Sequence, residues 1–313
     1  MLGKTANGLF WMSRYLERAE NTARLVETGQ RIALTRMGST DDEWTSVLQS
    51  AGALAAFREV NEVASKEAAM NWLIRDKGNP SSILSCVEAA RQNARLARTA
   101  ITGEVWEAIN STYMTTKEML ARKVAERDLP NVLGAIRRNT ALVRGMVHGT
   151  MMRNDIYDFL RIGTFLERAD NTARIIDVKY YVLLPSVSAV GSSIDNVQWE
   201  SILRSVSAHG GFRMQYGAES GPQEIAHFLI LDRRMPRSLA FCVGKLKDNL
   251  GYLTSGDDVP LESLNLVSKL ERKYLSQDVS DVFDYGLHEY IQTVLQHLSG
   301  IARQIEIDYR FYQ

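Results

Sequence analysis

The chain repeats itself, and that constrains its fold more than any other feature. Residues 15–27 read YLERAENTARLVE and residues 165–177 read FLERADNTARIID, with eight of thirteen positions identical and the other five conservative exchanges. Two further blocks follow in the same order. WTSVLQSAGALAAF (Trp44 to Phe57) aligns with WESILRSVSAHGGF (Trp199 to Phe212), and DKGNPSSILSCV (Asp76 to Val87) aligns with DRRMPRSLAFCV (Asp232 to Val243). The last block sets Pro80 on Pro236 and Cys86 on Cys242. Three ordered matches at offsets of 150, 155 and 156 residues predict a duplicated unit. The first copy spans residues 1–150 and the second 151–313, packed together as one body about a pseudo-twofold axis.

Each copy reads as helix. Apolar residues recur at helical spacing over 8–36, 42–57, 60–75, 81–101, 104–127, 130–150, 154–184, 196–209, 222–232, 237–252, 258–278 and 281–310. Thr40-Asp41-Asp42-Glu43 has capping-box spacing. Pro80, Pro130, Pro222 and Pro236 suit a first helical turn, where the missing N–H has no helical partner. Ser186 to Ser193 reads as a loop, and only Tyr180 to Val190 offers a short strand as an alternative. The expectation is an all-α, internally duplicated helical bundle.

Composition narrows the function. Thirty-seven basic residues balance 37 acidic ones, which argues against a nucleic-acid or anionic-membrane binder. No apolar run approaches bilayer length, the opening residues lack a secretory signal, and two cysteines give no disulfide framework. These features predict a soluble, cytoplasmic protein.

The repeated motif carries the chemistry. At 100° per residue, Met12, Tyr15, Leu16, Ala19, Ala23 and Val26 share one apolar arc, while Glu17, Arg18, Glu20, Asn21 and Arg24 lie opposite. Phe165, Leu166, Ala169, Ala173 and Ile176 repeat the first arc; Glu167, Arg168, Asp170, Asn171 and Arg174 repeat the second. A solvated face tolerates almost any polar residue, so identity of Glu, Arg, Asn and Arg in both copies implies that something other than water faces them. One reading is a structural network, with Glu17 paired to Arg168, or Glu167 to Arg18, across the axis. The other is a ligand or partner site of Glu17, Arg18, Asn21, Arg24, Glu167, Arg168, Asn171 and Arg174, whose guanidinium groups would fork onto a carboxylate or phosphate. General-base work by Glu17 or Glu167 is a third.

Other chemistry is weaker. Glu224-x-x-His227 has di-iron spacing, but its counterpart around Ala68 to Asn71 lacks both ligand types. His148, His209, His288 and His297 show no metal spacing, and no nucleotide-binding or nucleophile-elbow motif occurs. Cys86 and Cys242 sit in apolar contexts that suit buried structural thiols. The terminal Tyr309-Arg310-Phe311-Tyr312 reads as a docked end of the last helix. No metal and no cofactor is expected.

The opening MLGKTANGLFWMSRYLERAENTARLVE, the second FLERADNTARIID and the chain length together resemble the alpha-E domain family, a bacterial all-helical group named for its Glu-Arg motif. The resemblance covers essentially the whole chain, with Glu17-Arg18 and Glu167-Arg168 as the motif residues. It implies association with circularly permuted ATP-grasp proteins and transglutaminase-like proteases, hence with a system that forms or edits amide bonds on peptides or small amino compounds. It supplies no catalytic residue. Three functions follow: a helical partner of an ATP-grasp-type ligase that binds the ligase, a peptide or an amino-acid ligand; an enzyme in its own right with Glu17 or Glu167 in a groove between the copies; or a purely structural, oligomerising bundle.

Overall fold

A computed structural model describes residues 2–35, 40–182, 193–217, 221–255 and 261–312. Fifteen α-helices and one 3-10 turn make up the described residues, and no strand occurs among them. Two long helices form the centre: α1 (Gly3–Thr35) and α8 (Asp155–Val182). After α1 come α2 (Thr40–Ser50), α3 (Leu54–Arg58), α4 (Lys66–Ile74), α5 (Ile83–Leu96), α6 (Gly103–Met119) and α7 (Leu129–Thr150). After α8 come α9 (Ser193–Ser205), α10 (His209–Tyr216), α11 (Pro222–Ile230), α12 (Leu239–Leu253), α13 (Glu262–Tyr274), α14 (Val279–Tyr285) and α15 (Leu287–Asp308).

The packing explains where the alanines of the motif fall. Helix α1 lies against α8, α5 and α7, while α8 lies against α1, α12 and α15; α2 and α9 each touch both central helices. Small residues let the backbones approach. Ala19, Ala23, Ala169 and Ala173 are fully buried, flanked by Leu9, Phe10, Met12, Phe165 and Ile176. A tight approach of α8 to α1 lies at Gly163, where an added Cβ would stand 2.3 Å from the Phe10 carbonyl oxygen and 2.3 Å from Ser13 Oγ. Neither neighbour is the free end of a long side chain, so the crossing of α1 and α8 requires glycine there.

Local signals set most helix starts. The Ser65, Ser82, Thr102 and Ser238 hydroxyls cap α4, α5, α6 and α12 by accepting from the N–H three residues on. Pro130 and Pro222 occupy first turns, whereas Pro80 and Pro236 fall in the turns just before α5 and α12. Two expected helices are broken. The 42–57 segment divides around Gly52 (φ +66°), and the 281–310 segment divides at Gly286 (φ +96°), because a left-handed residue ends a helix. The Thr40 to Asp42 side chains, and residues 183–192 with most of the expected loop and alternative strand, lie outside the described residues. Phe311 docks against Phe10 and Phe159, and is 1% exposed. No helix among the described residues is long and apolar enough to cross a membrane.

Replacing Gly163 by alanine is expected to lower stability by about 1–3 kcal/mol through overpacking. Gly145→Ala, on an open face of α7, should instead raise it by about 0.5–1 kcal/mol through helix propensity. Denaturant unfolding of the two variants checks both signs.

Candidate functional site

The carboxylates at the centre of the motif are buried. Because α1 and α8 are packed on by the other helices, these groups meet protein rather than water: Glu17 is 1% exposed, Glu20 0%, Asn21 3% and Glu167 4%, while Arg18, Asp170 and Arg174 stay partly exposed. The two motifs grip each other reciprocally. Arg168 donates Nε to Glu17 Oε1 (2.9 Å) and Nη2 to Oε2 (3.0 Å). Arg18 donates Nε to Glu167 Oε1 (2.6 Å) and Nη2 to Oε2 (3.0 Å). Both are planar, two-point pairs.

Further cations gather unequally. On the Glu17 side, Arg237 enters from the turn before α12, donating Nη1 to Glu17 Oε1 (2.9 Å) and Asn21 Oδ1 (3.0 Å), and Nη2 to Glu20 Oε1 (3.0 Å). Arg144 of α7 pairs with Glu20 and reaches Glu17 Oε2 at 3.5 Å, Arg24 pairs with Glu20 at 2.6 Å, and the Thr140 hydroxyl donates to Glu20 at 3.1 Å. On the Glu167 side, Arg14 alone among the described residues joins Arg18 on the carboxylate, at 2.9 Å, while Arg174 pairs with Asp170 at 2.7 Å. That side is open. A cavity of about 190 Å³ is lined by Arg18, Asn21, Ser81, Glu167, Asp170, Asn171 and Arg174, with Ser50 to Gly52 at its wall. Five of the eight residues expected to form a site therefore line one cleft; Glu17, Arg24 and Arg168 lie beside it.

Burial alone would raise the Glu17 carboxyl, but Arg168, Arg237 and Arg144 outweigh it and hold it well below the usual carboxylate range. For Glu167 the same burial is outweighed by Arg18 and Arg14. A carboxylate so held is a poor proton acceptor, because protonation would strand its guanidinium partners.

This buried pair of Glu-Arg dipeptides is the feature that a family match then decides. The Alpha-E family, described as a predicted alpha-helical domain with a conserved ER motif, matches residues 1–309. The chain belongs to the Alpha-E family. It is also similar to an uncharacterized protein of Mycobacterium bovis and one of Mycobacterium tuberculosis, each 22% identical over 325 residues. The match takes in 96% of this chain and 36% of each relative, so the chain spans about a third of the length of the curated relatives it matches. No solved structure matches it.

Elsewhere in this Alpha-E chain the remaining candidates have structural duties. Glu224 accepts from the Gly221 N–H at 2.9 Å, at the start of α11, and His227 Nδ1 bonds the Tyr216 hydroxyl at 2.9 Å. His148 lies between Tyr157 and Arg161, His209 faces Glu200, and His288 faces Asp177. The Cys86 and Cys242 thiols are buried against the carbonyls of Pro80 and Pro236, and burial pushes each up to about 12. Among the described residues, no group of three or more His, Cys, Asp or Glu gathers as a metal site.

Two outcomes follow from the buried pairs. Glu17→Ala strands Arg168 and Arg237, and should cost about 3–5 kcal/mol in denaturant unfolding. Replacing Glu167 and Arg18 together by methionine should cost less than the sum of the two single changes. The pH dependence has a definite sign. Both glutamates lie below their ordinary value of 4.5 in the folded chain, so the unfolded chain binds more protons just beneath that value. Their stabilisation is complete above about pH 4.5 and fades as pH falls toward the folded values. Melting temperature against pH should therefore drop below about pH 4.5, and less steeply in Glu17→Gln, starting from its lower base.

Proposed function

We propose that this chain is a non-catalytic helical module, built from a duplicated unit about a pseudo-twofold axis, that serves an ATP-grasp-type amide-bond-forming system in the cytoplasm. Its cleft beside the Glu-Arg pairs holds a peptide, an amino compound or the ligase itself. One observation carries the reading. All four carboxylate oxygens of Glu17 and Glu167 are occupied by guanidinium N–H groups, so the residues best placed to act as a base instead brace the walls of a polar cavity.

The order of helices supports the duplication. The 33-residue α1 matches the 28-residue α8, the nine-residue α4 matches the nine-residue α11, and the 22-residue α7 matches the 22-residue α15. Packing follows suit: α5 on α1 corresponds to α12 on α8, and α6 with α7 to α13 with α15. The partnership draws on the resemblance of the motif to a family associated with circularly permuted ATP-grasp proteins. The mycobacterial relatives, in which the matched segment is joined to other sequence, accord with a module that works beside a second activity.

The test is reconstitution with the circularly permuted ATP-grasp protein encoded nearest this chain. ATP-dependent amide formation should need both proteins and fall at least about tenfold when Asn171 and Arg174 are both changed to alanine, a loss on the scale of one charged hydrogen bond. Full ligase turnover without this chain would refute the partnership. Product formation by this chain alone, abolished in Glu167→Gln, would make it the enzyme.

A further inference from the structure

One aligned position sets the two sides of the Glu-Arg centre apart in a way that bears on the cavity. Within the third repeated block, Ser81 stands where the second copy has Arg237. Arg237 is 7% exposed and places its guanidinium among Glu17, Glu20 and Asn21. The counterparts of those three residues are Glu167, Asp170 and Asn171, and all three line the 190 Å³ cavity with Ser81. The cavity therefore occupies the place that a guanidinium fills on the other side.

We propose that this cleft is a receptor for a guanidino group, taken from a small arginine-like amine or from an arginine side chain of a peptide, in the position that Arg237 holds opposite. The proposal rests on the duplicated-unit reading above and deepens it by naming a ligand class.

Four observations bear on it. Asn171 is 9% exposed, yet its side chain has no hydrogen-bond partner among the described residues, whereas the matching Asn21 Oδ1 accepts from Arg237. An amide can turn its oxygen to a donor, and guanidinium is a donor only. The missing cover shows in exposure as well: the side chains of Arg18 and Asp170 are 25% and 24% exposed, against 11% and 0% for Arg168 and Glu20. Size fits, since a cavity of about 150 Å³ is enough for benzene, so a planar guanidinium with part of its alkyl stem has room.

Charge fits as well. The two carboxylates on the sealed side meet four arginines, Arg24, Arg144, Arg168 and Arg237, and those on the open side meet three, Arg14, Arg18 and Arg174. A bound guanidinium brings the open side to the ratio that the sealed side already sustains. Arg18 and Arg174 each turn Nε and Nη2 onto a carboxylate that offsets their charge, and the remaining Nη1 of Arg18 donates to Ser81 Oγ at 3.3 Å.

Titration calorimetry on the full chain tests this with agmatine, a blocked Gly-Arg-Gly peptide, glutamate and inorganic phosphate as probes. Agmatine or the peptide should give saturable heat, and which of them binds tells a small amine from a peptide side chain. Ser81→Arg supplies the guanidinium from within; it should melt no lower than the natural chain and bind the probe at least about tenfold more weakly. Asn171→Leu, which removes the amide and keeps its bulk, should weaken binding by about the same factor, on the scale of one charged hydrogen bond. Absence of heat with both guanidino probes overturns the proposal. So does undiminished binding in either variant, or binding of glutamate or phosphate in their place. No ligase enters the experiment, so its failure is separate from failure of the partnership.

Discussion

Two crossed ion pairs buried between α1 and α8 set the terms for everything around them. Removing a carboxylate and a guanidinium from water is costly, and their mutual attraction offsets that cost only when both ends of each are satisfied. Such a pair contributes little net stability but penalises every arrangement that separates it. Sliding α8 along α1 by one turn would carry Arg168 about 5.4 Å from Glu17 and break both two-point pairs at once. The tight crossing at Gly163 acts in the same direction through sterics. Charge fixes which residues meet, and glycine fixes how near they come.

The surroundings of the two pairs are unequal. Arg237 and Arg144 cover the Glu17 side from the turn before α12 and from α7, leaving there a cavity of only about 40 Å³, while the Glu167 side keeps one of about 190 Å³ walled by polar side chains. A protein using its motif only for cohesion has no need of that difference. An arrangement with one sealed and one open side suits a body that is rigid at its centre and receptive at one edge, which is the basis of the proposed binding role.

Much of the architecture was legible because helical periodicity is local, whereas the breaks at Gly52 and Gly286 interrupt segments whose periodicity runs straight through them. The Glu17–Arg168 and Glu167–Arg18 pairings were among the readings open from sequence, because identical charged residues recur in both copies. Repetition signals that something other than water faces the polar arc, but periodicity alone does not say that the chain's own arginines do. An amphipathic pattern says which face is apolar but not whether the other face meets water, and α1 has neighbours on several sides. Arg14, Arg144 and Arg237 escaped notice for a related reason. Their partners lie 153, 124 and 217 to 220 residues away, and nothing in their own neighbourhoods marks them. The one available signal was a difference: within an otherwise similar block, arginine in one copy faces serine in the other.

Docking of Phe311 between Phe10 and Phe159 has a consequence for how the molecule comes into being. Helix α1 is completed by an aromatic residue from just beyond α15, and its charges wait for Arg144, Arg168 and Arg237. Contacts so distant in sequence carry a loop-closure cost before any reward and slow folding. Helix α1 therefore spends synthesis with its carboxylates in water and its apolar stripe short of partners. It needs protection in the nascent chain until those later partners have been made.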